Sequence, residues 1–321
     1  APIVQGTSLE ALEEAYATLM RQRVFAPAGM VDAAIADDPR PLGDDYAVGY
    51  SRDLFGRVSA APFVSIAGAA PSGAGIASAA DMARYLLMQM AGGVTSDGNR
   101  VVSAANLAET HRPGIVVPPE AIYALPVGQL PDTVGLRYCQ GWDEQTFTDG
   151  RRMYWFAGGI DGFTSVMGFF PAERLGFAIL SNQEPARGGA SFVLSVMSSL
   201  LSRAFGLYRD LPDALARAEP ELEARSARLA AQTRPVDPAA VAPYLGFYGF
   251  GFRLRLDDAG VLRLEHDVRS MPLLALPNGN YVVADGPGSL LGQTVSFTAN
   301  SHGGRVMQIE GLDPVRWLTG G

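Results

Sequence analysis

Near the C-terminal end of this 321-residue chain, eight short apolar runs follow one another at close to regular spacing, and nothing else in the sequence restricts the fold as tightly. They occupy residues 247–250, 252–256, 261–265, 273–276, 281–284, 294–298, 305–309 and 315–318. Turn residues separate them, as in Asp257-Asp258-Ala259-Gly260 and Pro277-Asn278-Gly279-Asn280. Runs this short cannot each bury a face alone, so strands at this density imply a small all-β barrel or sandwich over residues 236–321.

Upstream the texture changes. Residues 209–235 are charged and alanine-rich and end in Arg234-Pro235-Val236-Asp237-Pro238, which reads as a helical linker. Before it, strands are expected at 153–156, 164–170 and 175–180, joined by Gly158-Gly159 and by Pro171-Ala172-Glu173-Arg174, as an antiparallel meander. An apolar helix over 190–205 should cover one face of that sheet. Near the start, Thr7-Ser8-Leu9-Glu10 reads as a capping box opening a helix of about three turns that carries Leu9, Leu12, Tyr16 and Leu19. A short strand is expected at 46–50, a helix capped by Ser78 with Asp81 three residues on, and another from Ser103 to Pro113. The expected fold class is therefore α+β, an antiparallel sheet flanked by helices over residues 1–208, then the linker and the barrel.

Charge and composition remove several functions. The formal charge is −8 with no basic cluster, which disfavours nucleic acid as a partner. The apolar stretches are too short for a membrane span. All 25 basic residues are arginine, so no lysine of this chain can act as a base or form a Schiff base. The one cysteine, Cys139, excludes an internal disulfide and reads as a small buried hydrophobe. His111, His266 and His302 lie far apart, and none neighbours a Gly-x-Ser-x-Gly elbow. No metal and no cofactor is expected.

Four segments resemble, in order, the penicillin-recognising serine hydrolases: class C β-lactamases, D,D-peptidases, D-aminopeptidases and related esterases. Phe25-Ala26-Pro27-Ala28-Gly29-Met30 is similar to that family's Phe-x-Pro-Leu-Gly-Met turn, and the stretch from Gly75 to Tyr85 to its Gly-Gly-x-x-Ser-x-x-Asp-Met-Ala-Arg-Phe element. Tyr138-Cys139-Gln140-Gly141-Trp142 resembles Tyr-Gly-x-Gly-Trp. Ala157-Gly158-Gly159-Ile160-Asp161-Gly162-Phe163, with Phe170-Pro171 and Leu180-Ser181-Asn182 behind it, resembles the His-Gly-Gly strand and its hairpin.

The resemblance implies acyl transfer by a serine with a lysine one helical turn later, a proton-shuttling tyrosine and two backbone amides as oxyanion hole. Neither Ser-x-x-Lys nor Tyr-x-Asn occurs here. Both precede the Phe-x-Pro turn in the family, so a complementary N-terminal segment or chain is expected to supply them, and this chain alone is expected to be inactive. The third motif implies an oxyanion amide at Ile160 beside Gly159, with Ala157, Gly158 and Trp155 lining the substrate site. Ala157 stands where a lysine, histidine or tryptophan is usual, which shifts the expectation toward esters or neutral amides of a small-molecule or peptide substrate. Export to the periplasm or outside the cell is likewise implied, as is a lipocalin-like barrel that shapes access to the cleft.

Other readings compete. Trp142, Trp155 and Trp317 fit a strand core as well as a cleft, and Ser78 and Ser165 are explained by a helix cap and a strand hydroxyl. A non-catalytic protein that binds a ligand or partner would also lack the nucleophile. The barrel could hold a small apolar ligand.

Overall fold

The computed structural model describes residues 8–118, 130–160, 162–184, 192–266, 269–287, 290–299 and 304–319. The expected helix-flanked antiparallel sheet is present, with the barrel after it. Helix α1 (Leu9–Met20) is capped by Ser8, whose hydroxyl accepts the Ala11 N–H at 3.2 Å, one residue later than the capping box suggested; Thr7 lies outside the described residues. Two short ladders follow. One pairs β1 (Ala34–Ile35) with β4 (Gly75–Ile76), and the other pairs β2 (Tyr50–Arg52) with β3 (Val58–Ala60). Helices α2 (Ala70–Gly73), α3 (Ala79–Met90) and α4 (Ala104–Thr110) complete the first part.

Six antiparallel strands form the main sheet: β5 (Ile115–Val116), β6 (Thr133–Tyr138), β7 (Asp143–Phe147), β8 (Arg152–Ile160), β9 (Phe163–Phe170) and β10 (Leu175–Ser181), each beside its sequence neighbour. Gly158 and Gly159 do not turn the chain as the sequence suggested. They continue β8, and beyond it Gly162 has a φ of +82° that glycine alone adopts without cost.

Period-two alternation assigns the two faces of this sheet different neighbours. Met153, Trp155, Val166 and Phe177 point to one face and pack on Val193, Met197 and Leu201 of α5 (Phe192–Phe205) and on Leu211 and Leu215 of α6 (Leu211–Gln232). Tyr154 and Phe169 point to the other and meet Leu86 of α3 with Cys139 and Trp142. Three of the family-like segments act as scaffold. Phe25, Ala28 and Met30 pack with Met82 and Tyr85, and the buried Asp81 carboxylate both accepts the Asp32 N–H and pairs with Arg84, each at 3.0 Å.

The C-terminal strands close into a barrel: β11 (Gly246–Tyr248), β12 (Phe252–Leu256), β13 (Leu262–His266), β14 (Arg269–Ala275), β15 (Tyr281–Val283), β16 (Thr294–Ala299), β17 (Arg305–Ile309) and β18 (Val315–Thr319), with β11 pairing β18. The short helix α7 (Pro238–Val241) leads into it. β11 stops two residues before the expected end because Phe250 takes a φ of +58°, outside any strand conformation. Leu254, Leu264, Leu273, Val283, Val295, Met307 and Ile309 fill the interior, so the middle of this barrel is a packed core and offers no lipocalin-type ligand chamber.

Helix α6 spans both parts. Leu211 and Leu215 at its start lie in the sheet core, while Leu229 and Ala230 near its end pack against a cluster on the outside of the barrel that includes Val282 and Ala284.

Candidate active site

Strand β8 is covered by β7 only as far as the pair Asp143↔Trp155, and among the described residues no other strand pairs with its last residues on that side. On the other side β9 pairs the whole segment, down to Ile160↔Phe163. Two residues separate that last pair, so it can only be one that exchanges both backbone hydrogen bonds. The alternation of an antiparallel ladder then sets the rest. Ile160, Gly158 and Phe156 bond toward β9, while Gly159 and Ala157 turn their N–H and C=O outward to the free edge. No described backbone group bonds to either outward N–H.

This corrects the donor expected from the sequence. The Ile160 amide is spent inside the hairpin, and the amide directed at the open edge is that of Gly159. Gly159 and Gly158 are both exposed, and neither is required by crowding: a Cβ would meet the Phe163 carbonyl at 3.7 Å and Ser165 Oγ at 3.4 Å, respectively. Their lack of side chains instead leaves the edge uncovered, as a strand that receives another backbone needs.

Side chains on β8 also depart from expectation. Trp155 is 1% exposed within the core facing α5, and Ala157 packs against the same cluster, so neither presents its side chain to a ligand beside the edge. Strand alternation sends Phe156 the opposite way. It is 38% exposed, with its ring 6.5 Å from that of Tyr138. The sequence carried a signal for this: once Met153 and Trp155 are assigned inward, period two puts Phe156 outward.

Neither Arg151 nor Arg152 replaces the missing cation. Arg152 Nε holds Glu144 at 2.9 Å. Arg151 pairs with Asp149 and with Glu173, the latter at 3.4 Å, and its guanidinium lies 4.5 Å from the centre of the Phe205 ring. Both sit at the opposite end of β8 from Gly159.

Asp143 begins β7 opposite Trp155, at the point where the β8 edge becomes free. It is 6% exposed with no described donor to its carboxylate, and burial pushes its pKa up to about 6. His111 caps α4, bonds Gln89 Oε1 through Nε2 at 2.9 Å and stacks on Tyr154 at 4.8 Å; burial lowers its pKa. His266 bonds the Phe250 carbonyl through Nε2 at 3.0 Å, and His302 lies outside the described residues. The hydrogen bonds described for His111 and His266 go to a side-chain amide oxygen and a backbone carbonyl, not to a serine. Ser78 caps α3 by accepting the Asp81 N–H, and Ser165 lies within β9 opposite Gly158. Among the described residues no three His, Cys, Asp or Glu side chains gather as a metal site would require, and no described helix is long and apolar enough to cross a membrane.

Residues 3–192 match the family model described as Beta-lactamase. No curated protein sequence matches the chain. Among solved structures it is similar to the octameric penicillin-binding protein homologue from Pyrococcus abyssi, at 18% identity and a TM-score of 0.48, over 94% of this chain and 60% of that one. It is also similar to a D-stereospecific amidohydrolase from Streptomyces sp., at 16% identity and a TM-score of 0.43, over 60% of this chain and 48% of that one. A third is the D-amino acid amidase from Ochrobactrum anthropi SV3 complexed with L-phenylalanine amide, at 17% identity and a TM-score of 0.41, over 64% of this chain and 51% of that one. The chain thus spans between about half and about 60% of the length of these proteins.

Proposed function

Because the chain belongs to the Beta-lactamase family, we propose that its β8 edge is the oxyanion and substrate-docking edge of a serine hydrolase acting on esters or neutral amides. The observation that carries this is the pair of exposed glycines, with the Gly159 N–H directed away from β9 toward the edge that β7 does not pair. In the proposed reaction a serine oxygen attacks the substrate carbonyl, and the charge that develops on the carbonyl oxygen is met by Gly159 N–H and by the amide of the serine itself. Collapse of the tetrahedral intermediate expels the alcohol or amine and leaves an acyl-serine. Water then attacks the acyl carbon and releases the acid. The base that takes the serine proton cannot be a lysine of this chain, which has none. We assign the nucleophile and its base to residues outside it, so that these 321 residues alone are inactive.

Phe156 supports the substrate class. An aromatic ring beside the edge, with Arg151 and Arg152 engaged at the far end of β8, attracts neutral or apolar groups and offers nothing to a carboxylate. The test compares a neutral ester with the same ester carrying a free carboxylate next to the scissile bond, on the native protein with its nucleophile. The neutral ester is expected to have the higher kcat/KM. Phe156→Lys should raise kcat/KM for the carboxylate-bearing ester by roughly 10- to 100-fold, the value of a charge-assisted hydrogen bond. A wild-type preference for the carboxylate-bearing ester would contradict the assignment.

A further inference from the structure

Residues 48–61 touch both parts of the molecule. At its tip this segment turns through Asp53 to Gly56, a bend fixed by the Asp53 carboxylate, which accepts the N–H groups of Phe55 and Arg57 at 2.9 Å and the Arg57 Nε at 2.7 Å. Leu54 projects from that bend and is 2% exposed among Leu276, Val282, Ala284 and Leu291 on the outer surface of the barrel. Its N–H donates to the Ala284 carbonyl at 2.9 Å.

At its base the same segment is fastened to the β8–β9 hairpin and the end of β10. Tyr50 N–H donates to the carbonyls of Asn182 at 2.9 Å and Gly162 at 3.2 Å, and Asn182 Nδ2 donates to the Val48 carbonyl at 2.9 Å. Two glycines meet here without room for a side chain. A Cβ on Gly49 would lie 2.6 Å from the Phe163 ring, and one on Gly162 would lie 2.8 Å from the Gly49 backbone. Phe63 stacks on Phe163 at 6.5 Å, just past the end of the segment. Gly162 lies three residues after Gly159.

We propose that residues 48–61 are a tie through which the barrel holds the β8–β9 hairpin, with Leu54, Gly49 and Gly162 as its positioning residues. Its consequence for the reaction rests on the role proposed for Gly159; the mechanical link does not. The bend is rigid, its tip is keyed into the barrel, and its base has no slack against the hairpin. Displacing the barrel therefore displaces the strand end that carries the outward amide. The appended barrel then has a task that needs no ligand inside it, which fits its filled interior.

Residue-resolved hydrogen exchange on the full chain tests the link without requiring activity. Leu54→Ala should speed exchange of the Phe163 and Ser165 amides, which bond across the hairpin, at least about tenfold. The amides of α5 and β17 should keep wild-type rates. Leu54→Met, which conserves volume, should restore slow exchange, and Leu276→Ala, on the barrel side of the contact, should reproduce the effect. If the alanine variant loses the fold, Leu54→Val should show the same pattern at smaller amplitude. Acceleration confined to residues 53–57, uniform acceleration that includes α5, or an unaffected hairpin in Leu276→Ala would each overturn the proposal. A hairpin that responds as expected in a protein that never forms an acyl-enzyme would refute the hydrolase reading and leave the tie standing.

Discussion

A carboxyl buried beside Trp155 without a donor is an expensive group to keep ionised, and Asp143 is in that position. Its pKa stands near 6 in the fold against 3.8 when unfolded, so the folded state binds the proton more tightly. The stability gained from the protonated form is complete below about pH 4 and is lost as pH rises through 6. Above that, the ionised side chain destabilises the fold by about 3 kcal/mol. Asp143→Asn should therefore be more stable than the wild type at pH 8, by about that amount, and equal to it near pH 4, as read from urea denaturation midpoints. An equal midpoint at both pH values, or a less stable variant at pH 8, would show that the carboxylate has a partner in solution. Nothing in the sequence marks Asp143. A carboxylate after Gly141-Trp142 looks like an ordinary strand start, and its burial appears only when β8 and the helices close around it. Phe156 differs, because simple alternation from Trp155 places it; the family-like motif drew attention to Ala157 instead.

Among the elements, β8 is the one on which the proposed chemistry rests, because its two edges differ. One is fully paired to β9, and the other is abandoned by β7 after Trp155. The paired edge fixes the direction of each amide on the free edge, which is why a hairpin register identifies the donor. Gly159→Pro deletes that N–H and is expected to slow acylation by about 10²–10³-fold. Gly159→Ala, whose Cβ makes only ordinary contacts, should stay within about threefold of the wild type, a bound that allows for a small strain cost. The check is the rate of fluorophosphonate labelling of the native enzyme, and equal rates for the two variants would remove Gly159 from the oxyanion hole. The β8–β10 meander and the barrel were legible in the sequence because period-two runs and turn residues carry them locally, whereas β5, β6 and β7 were not read from it. The proposed donor was not, since Gly158-Gly159 reads locally as a turn and only the long pairing of β8 with β9 shows that the strand runs through it.

At the scale of the molecule, a helix-flanked sheet and a solid barrel are joined, among the described residues, through α6 and the segment 48–61. The Leu54 contact was invisible in the sequence because it lies in a loop-rich stretch and its partners come from more than 200 residues further along the chain. The absence of lysine, by contrast, is plain from composition alone and means that these 321 residues cannot supply the family's usual lysine base. The most direct test of that claim is to label the native protein with a fluorophosphonate and locate the modified serine by intact-mass and peptide mass spectrometry. The account predicts a single labelled serine, in polypeptide outside these 321 residues. A label on a serine within them, or a folded native protein that takes no label, would contradict it, and in the second case a binding role would replace the hydrolase.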